Sequence, residues 1–285
     1  MIEQVEIKNH LPDAVLQQAI KLINHSFKYK LQAEEFIYLL SSDCRSTCYC
    51  LFENNDLLGL LLVVANDAFE QAKLASYLVI AKRSDRLQLY QKLTDFCYLR
   101  ERQERTKFLF GIANKNAAPL HKRIGGWQIA KTMHKVVIDL TDAKLKQLNL
   151  SNVCRLIPRS DISTYEDWRF ENFPFRDYYY LSHGQHKLVM KDWLESGEVK
   201  SHLMLHDCYD ETEFSKIIKS ASIYAKQRNA VSFDFYSSVN CFEDLSRLFS
   251  LKVEPIELLI KPLQSNNVLY SDFFEIFAYG LTDSY

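Results

Sequence analysis

Two rhythms of apolar and polar positions run along the 285 residues, and the elements follow from which rhythm holds where. Residues 11 to 26 carry Val15, Ala19, Leu22 and Ile23 at helical spacing, and residues 33 to 41 predict a second short helix. CYCLFENNDLLGLLLVV, from Cys48 to Val64, reads as a hairpin, two apolar runs about the polar turn Glu53-Asn54-Asn55-Asp56. Residues 73 to 82 predict a strand. Residues 86 to 102 predict a strongly periodic helix, with Leu87, Tyr90, Leu93, Phe96, Cys97 and Leu99 on its apolar side. A strand at 107–113, a short helix at 115–124 closed by Gly125 and Gly126, and a strand at 134–140 complete this first portion.

Residues 141 to 162 are polar and mixed, include Pro158, and mark a junction. Beyond them the chain predicts a helix at 163–172, a hairpin of Tyr178 to Leu181 and Lys187 to Leu194 around His183-Gly184-Gln185, and a strand at 199–206. A helix at 211–228, a strand at 230–236, a helix at 241–249 and a strand at 253–261 follow. Hairpin, strand, helix, strand, helix, strand therefore occurs twice, as a repeat of order rather than of residue identity. The expected fold class is α/β with mixed sheets, in two domains, residues 1–145 and 146–285, each a twisted mixed sheet flanked by helices.

Charge and cysteine usage then exclude several function classes. Charged residues make up 25% and the net charge is -1, so no basic field invites a nucleic-acid backbone. No stretch approaches the ~20 apolar residues that span a bilayer. The start, MIEQVEIKNH, lacks the basic-then-apolar pattern of a secretory signal, so a cytoplasmic location is expected. Seven scattered cysteines do not form a disulfide framework. The close group Cys44, Cys48 and Cys50 has no second ligand pair at metal-binding spacing. His202 and His206 would share a strand face but stand ~13 Å apart at the usual rise, too far for one ion. No metal is expected.

One stretch carries more specific information. GIANKNAAPLHKRIGGW, residues 111 to 127, resembles the GNAT acyltransferase superfamily's sequence of strand, Asn, short helix and Gly-aromatic pair. Asn114 matches the Asn, Ala117 the small residue, Leu120 and His121 the Leu-Tyr pair, Gly125 the Gly, and Trp127 the aromatic after an inserted Gly126. Trp168-Arg169-Phe170 and the closing FAYGLTDSY are similar to two-domain GNAT-like proteins associated with polysaccharide biosynthesis. The resemblance implies tandem GNAT-like domains and an acyl-CoA co-substrate held by the first. In that fold two parallel strands splay apart and the pantetheine arm pairs with a strand edge. Here these would be residues 73–82 and 107–113. The pyrophosphate would sit at the start of the following helix, near Ser84, where free N–H groups and the helix dipole favour an anion.

The family's phosphate loop is glycine-rich, whereas this chain offers Lys82-Arg83-Ser84-Asp85-Arg86-Leu87. Lys82, Arg83 and Arg86 would supply charge in place of close backbone approach, and Asp85 opposes them. Ser84 as the cap of a surface helix is the competing reading. The resemblance further implies a backbone oxyanion donor near Leu78 or Val79, and it puts His121 where the family's acid is often Tyr. His121 as a polar surface residue, and Asn114 as a helix cap rather than a pantetheine ligand, remain open alternatives. Glu70 and Tyr77 are the candidate general bases. In the second portion, DCYDETE at 207–213 is hostile to pyrophosphate, so that portion is expected to be structural or to shape the acceptor site.

The expected function is thus acyl-CoA-dependent N-acyl transfer to a small amine, which the resemblance extends to a nucleotide-linked amino sugar. The alternative is a non-catalytic ligand- or partner-binding module of the same fold, favoured by the missing glycines. The oligomeric state is left open, with a homodimer among the options.

Overall fold

The computed structural model describes residues 1–27, 31–41, 45–65, 71–113, 117–141, 153–161, 177–195, 197–208, 210–237 and 242–264. The elements of the first portion are β1 (Ile2–Lys8), α1 (Asp13–Ser26), α2 (Ala33–Leu39), β2 (Ser46–Glu53), β3 (Asp56–Ala65), β4 (Ala72–Ile80), α3 (Arg86–Gln103), β5 (Phe108–Ala113), α4 (Ala118–Arg123) and β6 (Gln128–Asp139). There follow β7 (Arg155–Leu156), β8 (Asp177–His183), β9 (His186–Glu195), β10 (Glu198–His206), α5 (Glu211–Gln227), β11 (Ser232–Ser237), α6 (Phe242–Ser246) and β12 (Ser250–Pro262). The helix expected at 163–172 lies outside the described residues.

The twelve described strands form one mixed sheet in the order β1-β2-β3-β4-β5-β12-β6-β11-β10-β9-β8-β7. Its centre is an exchange. The last described strand, β12, pairs antiparallel with β5, whereas β6 pairs antiparallel with β11. β12 and β6 run antiparallel along each other between them. Among the described strands, each portion's sheet therefore continues into a strand of the other portion.

Local chemistry sets the turns. Glu53 pairs with Asp56, so the expected four-residue turn is a two-residue loop, with Asn54 and Asn55 both at positive φ (52° and 70°). That geometry matches the strand twist, and Asn tolerates it better than most residues. Gly126, at φ +67°, turns the chain from α4 into β6. Apolar residues from both sheet faces make the core. Cys48, Cys50, Leu60, Leu62, Phe108 and Phe110 pack with α1 and α2 on one face. Tyr49, Leu61, Leu109 and the inner side of α3 pack on the other. α5 covers the second portion's strands through Phe214, Ile217, Ile218 and Ala221.

α3 is tied down at its C-terminal end by a buried carboxylate. Glu101 is fully buried, accepts from Tyr49 Oη at 2.8 Å and Thr106 Oγ1 at 2.6 Å, and meets Lys73 Nζ at 2.8 Å. One side chain thereby joins α3, β2, β4 and the lead into β5. Fully satisfied charges of this kind cost little, whereas removing one partner is expensive.

Candidate functional site

β4 and β5 are parallel and pair only at Ala72 with Phe108, Lys73 with Leu109 and Leu74 with Phe110. Past that point they diverge, as the resemblance implies. β4 is itself irregular just beyond. Against β3, Leu62 faces Ser76 and Leu60 faces Val79, so Tyr77 and Leu78 both stand opposite Leu61. This is a β-bulge, and Tyr77 takes φ +47°, a costly value for a residue with a Cβ. The bulge lies three residues past the last β4–β5 pair, on the part of β4 that no longer pairs with β5. On β5 the first residue past the pairing is Gly111, where a Cβ would stand 3.0 Å from the Ala75 carbonyl oxygen.

The opening is a cavity of about 70 Å³. Leu74, Ser76, Tyr77 and Ile112 line it from the α1/α2 side, and Ala75, Leu78, Ala113 and Trp127 line it from the α3/α4 side. It thus passes through the plane of the sheet. β12 contributes Leu259 to its wall, so the second portion completes a site built mainly by the first. Ser76 is buried, and its Oγ has no hydrogen-bond partner among the described residues.

The α4 side holds a hydrogen-bonded polar group. His121 lines the cavity, its Nδ1 3.0 Å from Tyr90 Oη and its ring 5.2 Å from that of Trp127. Trp127 Nε1 donates to Tyr98 Oη at 2.7 Å. Burial pushes His121 down to about 4, so the ring is neutral at neutral pH, and burial holds the Tyr90 and Tyr98 hydroxyls well above the usual phenol range.

At the start of α3, Lys82, Arg83, Ser84 and Arg86 are all exposed. The cap position belongs to Asp85 rather than Ser84, with no side-chain capping bond. Arg83 is engaged: it donates to Glu53 Oε2 at 2.7 Å and to Asp85 Oδ1 at 3.0 Å. Its hydrogen bond holds the Glu53 carboxyl below the usual range. Arg83 thereby offsets the misplaced charge of Asp85, and Lys82 and Arg86 are left as the exposed cations beside the first turn. Leu78 lines the cavity, while Val79 packs into the core opposite Leu60. Tyr77 packs edge-on against Phe27 and Phe36, ring centroids 6.1 and 6.3 Å away. Glu70, Asn114 and Trp168-Arg169-Phe170 lie outside the described residues. The structure therefore gathers Tyr77, Leu78 and His121 about one cavity and sets the cationic group at the helix start. Sequence reasoning did not single out Tyr90, Tyr98 or Ser76 for function. Tyr90 and Tyr98 lie eight residues apart on one face of a helix, and two phenols so placed need buried partners.

The second portion repeats the design in altered form. β10 and β11 also pair in parallel at three positions, ending with His202 opposite Asp234, and β10 also slips register against β9, between Leu203 and Leu205. Where the first wedge has Leu74 and Phe110 at its apex, the second has His202 Nδ1 bonded to Asp234 Oδ1 at 2.8 Å. Its helix start is closed to anions, because Asp210 Oδ1 accepts from the Glu213 N–H at 2.9 Å. Among the described residues no group of His, Cys, Asp and Glu could hold a metal ion. Cys48 and Cys50 are buried with sulfurs 3.6 Å apart.

No family model matches the sequence, and no curated protein is similar to it. Solved structures do match. A tandem GNAT protein from the clavulanic acid biosynthesis pathway has a TM-score of 0.64 at 9% identity over 94% of this chain and 100% of that one. A GCN5-related N-acetyltransferase from Anabaena variabilis has 0.59 at 9% identity, over 92% of this chain and 73% of that one. One from Kribbella flavida has 0.56 at 9% identity, over 92% and 71%. At such identity the likeness is one of architecture, and along nearly its whole length this chain has the fold of the tandem GNAT proteins.

Proposed function

We propose that the chain is an acyl-CoA-dependent N-acyltransferase whose acyl donor enters the wedge between β4 and β5. The observation that carries this is the wedge itself: a bulged β4, a three-pair parallel contact, and a cavity lined from both faces of the sheet. A cavity lined from both faces suits a two-substrate reaction, with the donor's pantetheine against the strand edge on one side and an amine approaching from the other. The diphosphate would rest on the first turn of α3, helped by Lys82 and Arg86. Residues 146–285 would shape the acceptor side, which the contribution of Leu259 supports. The acceptor is a small amine, and a nucleotide-linked amino sugar is the first to test. A cytoplasmic location goes with this chemistry; among the described residues no helix is long and apolar enough to cross a membrane.

The competing reading, a binding module that transfers nothing, draws on the glycine-free loop and on Arg83 being spent in ion pairs. Two measurements separate them. Calorimetry with acetyl-CoA should give saturable binding that weakens about tenfold or more in Lys82→Ala/Arg86→Ala, the loss of two charge-assisted contacts. Thiol release should then accompany addition of amines. Binding without release in any amine supports the module; no binding in either protein rejects both forms of the acyl-CoA site.

A further inference from the structure

Ser76 lines the wedge cavity at 8% exposure, and its Oγ has no hydrogen-bond partner among the described residues. A hydroxyl buried in that state is destabilising, and folds rarely keep one. Leu74, Tyr77 and Ile112 share its side of the sheet, and the Phe27 ring stands edge-on to that of Tyr77 at 6.1 Å. By contrast, the α3 hydroxyls that line the cavity are engaged: Thr94 Oγ1 donates to the Tyr90 carbonyl oxygen at 2.9 Å, and Tyr98 Oη accepts from Trp127 at 2.7 Å.

Position decides which part of a donor would meet Ser76. On the reading above, the diphosphate rests at the first turn of α3, shortly after β4 ends at Ile80. An arm running back along β4 from there carries its thioester towards the last β4–β5 pair, Leu74 with Phe110. Ser76 lies two residues from that pair, so the acyl group is what reaches it. The cavity is small, about 70 Å³, which limits that group to a short chain. A plain alkanoyl chain offers the hydroxyl only C–H groups, and so leaves it unpaired or displaces a water bonded to it. An oxygen on the chain removes this loss. Serine turns about one staggered torsion, so Oγ can follow such an oxygen.

We propose that Ser76 makes the wedge selective for short acyl donors carrying a hydroxyl or keto oxygen on the acyl chain, over plain alkanoyl donors of the same length. This rests on the acyl-CoA reading and adds to it the chemical class of the group transferred. An acyl hydroxyl donates to Ser76 Oγ or accepts from it, whereas a keto oxygen accepts. Ser76 is then a specificity-determining residue and takes no part in bond making.

The test is calorimetry with two matched pairs, lactoyl-CoA against propionyl-CoA and 3-hydroxybutyryl-CoA against butyryl-CoA, on full-length wild type and Ser76→Ala. The members of each pair differ by one hydroxyl. The wild type should bind the hydroxylated member of at least one pair about 2- to 10-fold more tightly, the worth of one net hydrogen bond, and Ser76→Ala should bind both members of that pair alike. Equal wild-type affinities within both pairs overturn the proposal and leave the acyl-CoA site in place. A preference that survives in Ser76→Ala overturns it too, as does an equal loss for both members of each pair, which would put the hydroxyl on the thioester carbonyl that they share. Failure of all four compounds to bind the wild type removes the acyl-CoA reading, and this proposal with it.

Discussion

Gly111→Val plugs the wedge while leaving the strands that make it. Gly111 lies one residue past the last parallel pair, on the face of Leu109 and Ala113, and remains bonded into the sheet opposite Leu259 of β12. A valine there adds three carbons beside a cavity of about 70 Å³, beginning with a Cβ 3.0 Å from the Ala75 carbonyl oxygen. That contact is tight, and overpacking of this sort costs about 1–3 kcal/mol. Against it stand the gain from replacing a strand glycine by a β-branched residue, about 1 kcal/mol, and the apolar area the methyls bury. The net change in stability should therefore lie within about 2 kcal/mol of zero, measurable as a small shift in urea midpoint with the slope unchanged. Binding should respond far more. A side chain occupying the pantetheine path must either be displaced or exclude the ligand, so acetyl-CoA affinity should fall by at least about 30-fold, some 2 kcal/mol, by calorimetry. Wild-type affinity in a folded Gly111→Val protein would refute the placement of the donor between β4 and β5.

Ser76→Ala removes a buried hydroxyl with no partner among the described residues, so it should raise stability by roughly 1 kcal/mol and Tm by about 1–3 °C in a thermal melt. If that hydroxyl bonds the bound substrates, the same variant should lose about tenfold in turnover, the two effects having opposite sign. Glu101→Ala strands Tyr49, Thr106 and the Lys73 charge at one site and should cost about 3–5 kcal/mol in a urea titration. Acidification should also destabilise the fold. Burial lowers His121 to about 4 and His206 to about 3, so the unfolded chain binds more protons than the folded one below the ordinary histidine value of 6.5. The stability these two contribute is full above pH 6.5 and falls as pH drops towards 4. The slope should reach about 3 kcal/mol per pH unit for two groups. Urea midpoints between pH 7 and 4.5 check this, and replacing both histidines by Gln should flatten the curve.

The sequence alone shows the elements of the first portion where periodicity is strong: the β2–β3 hairpin, α3 and β5 fall within a few residues of their expected bounds. β1 went unforeseen because IEQVEIK breaks strict alternation, and what makes it a strand is pairing with β2 about forty to fifty residues away. The exchange of β12 and β6 could not be read either, since nothing local in a strand names its neighbour. The splayed pair was expected from resemblance and found, but the bulge beside it, at Tyr77 and Leu78, carries no glycine or proline to announce it. At the site, His121 was legible as a residue and not as a charge state, because its environment comes from Tyr90 on α3 and Trp127 at the start of β6. Arg83 looked like a phosphate ligand in the local run Lys82-Arg83-Ser84. Its pairing with Glu53 of the β2–β3 hairpin is a tertiary fact.

A crystal structure of the full chain soaked with acetyl-CoA tests the central claim most directly. The account predicts density for the pantetheine arm running between Ala75–Leu78 of β4 and Gly111–Ala113 of β5, with the diphosphate at the first turn of α3 beside Lys82 and Arg86. Density for the ligand at any other place, with the wedge unchanged, would contradict it.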